Sequence, residues 1–376
     1  LAATGRKEDA IQAFDRALEI APQSTEALLH RGMVLIQLGR FNDAIESFIR
    51  TLEIDPTNAD AWYLKGNALF ALDGYDDAIE AFNRALEIRP DFVSAYYDKG
   101  RALSQLGMYT EAVLSFDNAL SFQPKFVDAL QYKGLSQIRL ARFEDAEYSF
   151  DQALRIRPNN GPLWTGKGIA LFRQGKDAEA ITFFRKALSI NSRDAHANYY
   201  LGLSLVRLGN CNEAMKYFDA ALAQVPDCVQ ALYYKGRALA MLSMHHEAIS
   251  AYDRAIALKE TAAEAWMYRG LSYASLDQYD RALENYDHAL SLDNAYASAF
   301  LYKGIALNHL NRTAEAIRSF KDAVAIKPEY PDVYYHLGLA LLREKQFRAA
   351  ISSFDQALAG NKKFAEAYVY KGIALS

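Results

Sequence analysis

The chain has 376 residues, 51% of them hydrophobic and 23% charged, which is ample for a large buried core and too apolar for a disordered segment. Its formal net charge of −4 excludes a general attraction to nucleic acid or anionic lipid. No apolar run approaches the ~18 residues of a membrane span, and two cysteines, Cys211 and Cys228, are too few for a disulfide framework.

The predicted elements follow one ruler. Pro22, Pro56, Pro90, Pro124 and Pro158 stand 34 residues apart, and the same spacing reaches Pro226 and Pro328. With these prolines at position 32, complete repeats begin at 25, 59, 93, 127, 161, 195, 229, 263, 297 and 331. Partial repeats occupy 1–24 and 365–376, so a single array over 1–376 is expected. In each copy, apolar residues recur at helical spacing over positions 2 to 14, then a turn with frequent Gly or Asp, then a second helical stretch over 18 to 31.

Along the chain, residues 1–24 bring Ala10 and Phe14. The repeat at 59 adds Trp62, Tyr63, Gly66, Ala78 and Phe82; that at 93 adds Tyr97, Gly100, Ala112 and Phe116. The repeat at 127 holds Tyr132 and Arg139, and that at 161 holds Trp164, Phe172 and Arg173. Next come Tyr199, Arg207 and Phe218 from 195, then Tyr233 and Gly236 from 229. Tyr268, Tyr302 and Tyr335 follow in the copies at 263, 297 and 331.

Down the columns, position 8 is always Gly, position 20 always Ala, position 24 always aromatic, and position 27 Ala except at Thr51. Two helices joined by about three residues fold back antiparallel. Small residues at 8 and 20 let the backbones approach, and the aromatic at 24 is a large knob beside the flat floor made by Ala at 27. Proline at 32 stops the second helix. One hairpin cannot bury its apolar face alone, so neighbours must stack.

This set of columns, with large residues such as Trp62, Trp164 and Trp266 at position 4, resembles the tetratricopeptide repeat family over the whole chain. The pentatricopeptide family fits poorly, since its repeat is longer by one and its members are usually basic. The resemblance implies an all-α, right-handed superhelical solenoid of antiparallel helix hairpins, with first helices on the concave side. The chain starts at position 11 and stops at position 12 of a repeat, with no polar capping helix at either end.

No enzymatic motif stands out. His245 and His246 are adjacent and point in different directions on a helix, a poor metal pair. Cys211 and Cys228 are separated by a helix of ~25 Å, beyond disulfide reach. No Gly-rich phosphate loop, zinc-protease motif or nucleophile elbow is present. The chain is therefore read as non-catalytic, with no cofactor and no metal. Asn311-Arg312-Thr313 is a lone glycosylation-type triplet on a turn. The compartment stays open between the cytoplasm and, for a trimmed chain, the exterior.

Function is then sought on the surface. Positions 2, 5, 6, 9, 12 and 13 share one face of the first helix by its 3.6-residue period, and the resemblance places that face in the groove. Tyrosine is frequent at 5 and 6: Tyr63, Tyr97, Tyr132, Tyr199, Tyr233, Tyr268, Tyr302 and Tyr335. Such a stripe is either a ligand surface or internal packing. Position 9 is mostly apolar, and Phe172 adds to position 12. Arg139, Arg173 and Arg207 fill position 13 of consecutive copies, either as an anion-binding ladder or as solvated cations at helix C-termini. The carboxylate clamp of chaperone-tail receptors in this family is absent, for no copy has Lys at position 5.

Position 7 is basic in nine of eleven copies and position 25 is Asp in seven. Ion pairs within a hairpin, such as Lys133–Asp151 and Lys235–Asp253, are expected from these columns, although Arg185 opposite Lys167 breaks the rule. The expected function is a scaffold binding protein or peptide partners in the groove, with no role for nucleic acid or membrane insertion. Two alternatives stand beside it: head-to-tail self-association into a filament through uncapped ends, and the interaction arm of a larger enzyme.

Overall fold

A computed structural model describes residues 2–376. Among the described residues every regular element is an α-helix, and the chain divides into two compact units, Leu1–Ser192 and Arg193–Ser376.

The first unit holds α1 (Ala2–Ile20), α2 (Thr25–Gln37), α3 (Phe41–Ile54), α4 (Ala59–Ala71), α5 (Tyr75–Ile88), α6 (Val93–Gln105), α7 (Tyr109–Phe122), α8 (Val127–Arg139), α9 (Phe143–Ile156), α10 (Gly161–Arg173) and α11 (Asp177–Ile190). The second holds α12 (Ala195–Arg207), α13 (Cys211–Gln224), α14 (Val229–Met241), α15 (His245–Leu258), α16 (Ala263–Ser275), α17 (Tyr279–Leu292), α18 (Ala297–His309), α19 (Thr313–Ile326), α20 (Pro331–Arg343), α21 (Phe347–Gly360) and α22 (Ala365–Leu375). In both units an even-numbered first helix pairs with the odd-numbered helix after it, and each hairpin packs on the next. Among the described residues of each unit, successive first helices touch one another, whereas successive second helices do not meet. Each unit therefore curves with its first helices inside.

The columns explain the packing. Phe82, Phe116 and Phe218 are 0% exposed, as are Ala78 and Ala112. A Cβ added to Gly66, Gly100 or Gly236 would lie 2.5–2.6 Å from the ring of Phe82, Phe116 or Tyr252, so only glycine admits the knob. The turn between the two helices reverses through a left-handed residue at position 15. It is glycine at 39, 107, 175 and 209, but Asp73, Ala141, Ser243, Asp277, Asn311 and Lys345 elsewhere, with φ of 57–60°. Those six carry the strain that a Cβ meets in this conformation.

In seven of its eleven copies position 34 shows one of two solutions to starting the next first helix; Cys228, Ala262, Tyr296 and Tyr330 fill it elsewhere without a side-chain cap. Ser24, Asn58, Asn160 and Asp194 accept a hydrogen bond from the amide three residues on, the usual side-chain cap. Phe92, Phe126 and Phe364 stand there instead and forgo the cap. Their rings lie 4.7, 4.8 and 4.8 Å from those of Tyr63, Tyr97 and Tyr335. Aromatic packing replaces a polar cap. The tryptophans have a local role too: the indole N–H of Trp62, Trp164 and Trp266 donates to the carbonyl of Pro56, Pro158 and Glu260, tying the helix start to the linker.

The charge columns pair differently from the expected way. Lys133 meets Asp117, not Asp151, at 2.6 Å, and Lys235 meets Asp219, not Asp253, at 2.5 Å. Arg31–Asp15, Lys167–Asp151, Arg269–Asp253, Lys303–Asp287 and Lys371–Asp355 repeat the pattern. The bridge runs from position 7 back to position 25 of the preceding hairpin, so it joins neighbours and does not lock one hairpin. Every Asp at position 25 has a cation sixteen residues later; where position 25 is Arg185 or Lys321, the residue sixteen later is Leu201 or Leu337. The pairing is thus written into the chain copy by copy. These pairs are partly exposed, and such bridges contribute about 0.2–1 kcal/mol each. A double-mutant cycle should give a coupling of about 0.5 kcal/mol or more for Lys133→Met with Asp117→Asn, and none for Lys133→Met with Asp151→Asn. The reverse result would restore the within-hairpin pairing.

Candidate functional site

In the first unit the inner face of α4, α6 and α8 carries Tyr63, Tyr97 and Tyr132, all half-buried. Tyr97 and Tyr132 meet edge to face at 5.8 Å, and Tyr132 lies 6.2 Å from the core ring of Phe116. The Tyr63 hydroxyl donates to Asp98 Oδ2 at 2.9 Å, and Arg101 Nη1 donates to Asp98 Oδ1 at 2.9 Å. The Arg101 guanidinium also stacks 4.7 Å from the centroid of Phe70 and within 6 Å of those of Tyr97 and Tyr132. Burial, and then the Asp98 charge, push Tyr63 up to about 12. Burial also raises Asp98, against the pull of Tyr63 and Arg101. This cluster is internally satisfied.

In the second unit Tyr199, Tyr233 and Tyr268 form the matching face on α12, α14 and α16, with Tyr200 and Tyr234 beside them. Ring centroids are 4.9 Å apart for Tyr233–Tyr234, 5.7 Å for Tyr233–Tyr268 and 6.3 Å for Tyr199–Tyr234. Tyr302 stacks 6.5 Å from the buried Tyr286, and Tyr335 lies 6.0 Å from Tyr370. Burial raises the phenols of Tyr97, Tyr233, Tyr302 and Tyr335 above the usual range, so they are neutral donors at neutral pH.

Internal packing is one role of the stripe. The position-5 rings serve packing, closing the gap to position 34 and to the second-helix aromatic. The position-6 rings of Tyr132, Tyr268 and Tyr302 lie beside them on the same inner face. Phe172 needs correcting: expected on the open face, it is 5% exposed and offers a ligand almost no surface. Arg139 and Arg173 are exposed in the last turns of α8 and α10, and Arg207 in the last turn of α12, where helix carbonyls favour a cation. The column reading passed over Arg101 and Arg237. Both stand at position 9, which is otherwise mostly apolar, and that break in the column was the signal that could have found them.

Among the described residues no cluster of His, Cys, Asp and Glu could hold a metal ion, and no helix is long and apolar enough to cross a membrane. Cys211 is buried and Cys228 partly so, both as free thiols.

Tetratricopeptide repeat family models match residues 29–93, 63–126, 97–161, 133–197, 199–263 and 335–375, with further matches at 304–345, 263–296 and 1–24. No curated protein matches the chain. Among solved structures, MamA is 30% identical, covering 42% of this chain and 92% of its own, with a TM-score of 0.40. The Cut9–Hcn1 heterotetramer of the APC/C is 15% identical over 100% of this chain and 88% of its own, with a TM-score of 0.54. A tetratricopeptide repeat protein from Parabacteroides merdae ATCC 43184 is 18% identical over 66% of this chain and 99% of its own, with a TM-score of 0.53. The last two likenesses concern the fold alone. Column by column, hairpin by hairpin and by family model over most of its length, the chain belongs to the tetratricopeptide repeat family.

Proposed function

We propose that the protein is a non-catalytic interaction scaffold that binds protein segments along the tyrosine-lined inner face of its first helices. Family membership supports the scaffold role. The observation that carries the finer reading is the density of half-buried tyrosines on the helix set that faces inward in each unit. Tyrosine presents apolar area and a hydroxyl donor with little rotamer entropy to lose, which suits recognition of a peptide backbone.

The test is affinity capture with mass spectrometry from the intact chain and from a Tyr234→Ala, Tyr268→Ala variant. Tyr148→Ala serves as control, since Tyr148 is 60% exposed on the second helix α9. Polypeptides held by the intact chain should be lost from the groove variant and kept by the control, with helical circular dichroism retained in both. Equal capture by the groove variant would sink the inner-face reading. Assemblies that grow with concentration in light scattering would favour head-to-tail stacking instead.

A further inference from the structure

Position 9 is occupied by arginine twice, and the two copies differ in how the guanidinium is closed. On α6, Arg101 is closed by Asp98 at position 6 of the same helix, 2.9 Å away, with Tyr63 completing the carboxylate. On α14, position 6 is Tyr234, and no carboxylate among the described residues pairs with Arg237. The guanidinium instead lies 4.9 Å from the ring centroid of Tyr268 and about 6 Å from those of Tyr234 and Tyr233. It is half-buried, so it has given up part of its hydration without gaining an anion. Below it the hydroxyl of Tyr252, a fully buried residue, has no hydrogen-bond partner either.

A hollow of about 290 Å³ opens beside this guanidinium between α14, the start of α15 and α16, with Ala240, Met241 and Leu271 in its walls and His245, Ser272 and Ser275 as their polar part. Met241 is 57% exposed at its rim. Arg237 is the single cation on the inner face of α14, whose other members there are Gln230, Tyr233, Tyr234, Ala240 and Met241.

We infer that Arg237 is the docking point for a side-chain carboxylate of a bound acidic peptide, with an adjacent aliphatic side chain of that peptide entering the hollow. The first unit supplies the precedent: at the same repeat position, in the same tyrosine setting, the group that closes the guanidinium is a carboxylate. The Tyr268 ring, 4.9 Å from the guanidinium carbon, holds the group in place, and its N–H donors match a carboxylate bidentately. Most of the surface that lines the hollow is apolar despite His245, Ser272 and Ser275, which matches an aliphatic neighbour better than a hydrated inorganic anion. This inference rests on the inner-face reading above and adds the chemistry of its occupant.

The experiment pans a random 12-residue phage-displayed peptide library on the full chain. Enriched peptides should carry Asp or Glu next to Leu, Ile, Val or Met. For the strongest one, Arg237→Gln in the protein and Glu→Gln (or Asp→Asn) in the peptide should each weaken binding about tenfold or more, and the two together no further than either alone. The change on the peptide side tests the contact even if Arg237→Gln perturbs folding. Enriched peptides without an acidic residue, or two effects that simply add, overturn the carboxylate while leaving the inner-face reading standing. Enriched peptides whose binding survives Tyr234→Ala with Tyr268→Ala overturn both, as does a library from which nothing is enriched.

Discussion

Replacing Phe218 by alanine should destabilise the second unit by about 3–5 kcal/mol, the range for emptying a buried phenyl site. Phe218 sits on α13 at 0% exposure, between the small residues Ala214 and Ala221 of its own helix and Gly202 of α12. None of these can grow into the space, because two are alanine and one is glycine, so the site cannot collapse and the cavity term stays near its full size. The array is built from contacts between neighbours, so the loss should be local before it is global. Amide exchange in α12–α15 should accelerate at least about a hundredfold, the ratio that corresponds to the lower end of that free-energy range. Urea unfolding would read the same loss as a lowered midpoint. A cost below about 1 kcal/mol would mean that the aromatic knob is not what joins the two helices, and the account of the repeat columns would fail with it.

That account was largely legible because identical columns solve identical problems. Gly100 and Phe116 face each other in space as they recur in the chain, and from α2 onward the helices differ from the expected spans by one residue, as α4 and α5 show by running from Ala59 to Ala71 and Tyr75 to Ile88, whereas α1 runs unbroken through the turn expected at residues 5–7. The ion pairs were misplaced by one hairpin for a definite reason. Column frequency says that a cation and an aspartate occur; it does not say which copies meet. The distinction was nonetheless present in the covariation of Arg185 with Leu201 and of Lys321 with Leu337, which follows a spacing of sixteen and not eighteen. Arg237 was missed for the opposite reason. Its meaning lies in being an exception, and averaging over copies removes exceptions. Phe172 shows a third limit: its face was assigned from helical period alone, while burial depends on what neighbouring elements cover.

The sharpest test of the glycine column compares two positions that are alike in sequence and unlike in surroundings. A Cβ at Gly100 would stand 2.5 Å from Phe116 Cε1 and 2.8 Å from its Cδ1 and Cζ. Phe116 is 0% exposed, so its ring has no solvent side toward which to move. Gly100→Val should therefore destabilise by about 3 kcal/mol, the upper end of ordinary overpacking. Gly372 occupies the same column on α22, and among residues 2–376, which include no second helix after α22, nothing lies within 4 Å of where its Cβ would be. There Gly372→Val meets only the helix itself, where valine is slightly better than glycine, so stability should stay within about 0.5 kcal/mol or rise. Helix propensity favours valine over glycine at both sites, more weakly in the last turn of α22, so a large loss confined to Gly100→Val isolates the contact with the aromatic ring. Equal effects, whether both large or both negligible, would show that the column reflects backbone preference, and that close approach of one hairpin half to the other is not what glycine provides.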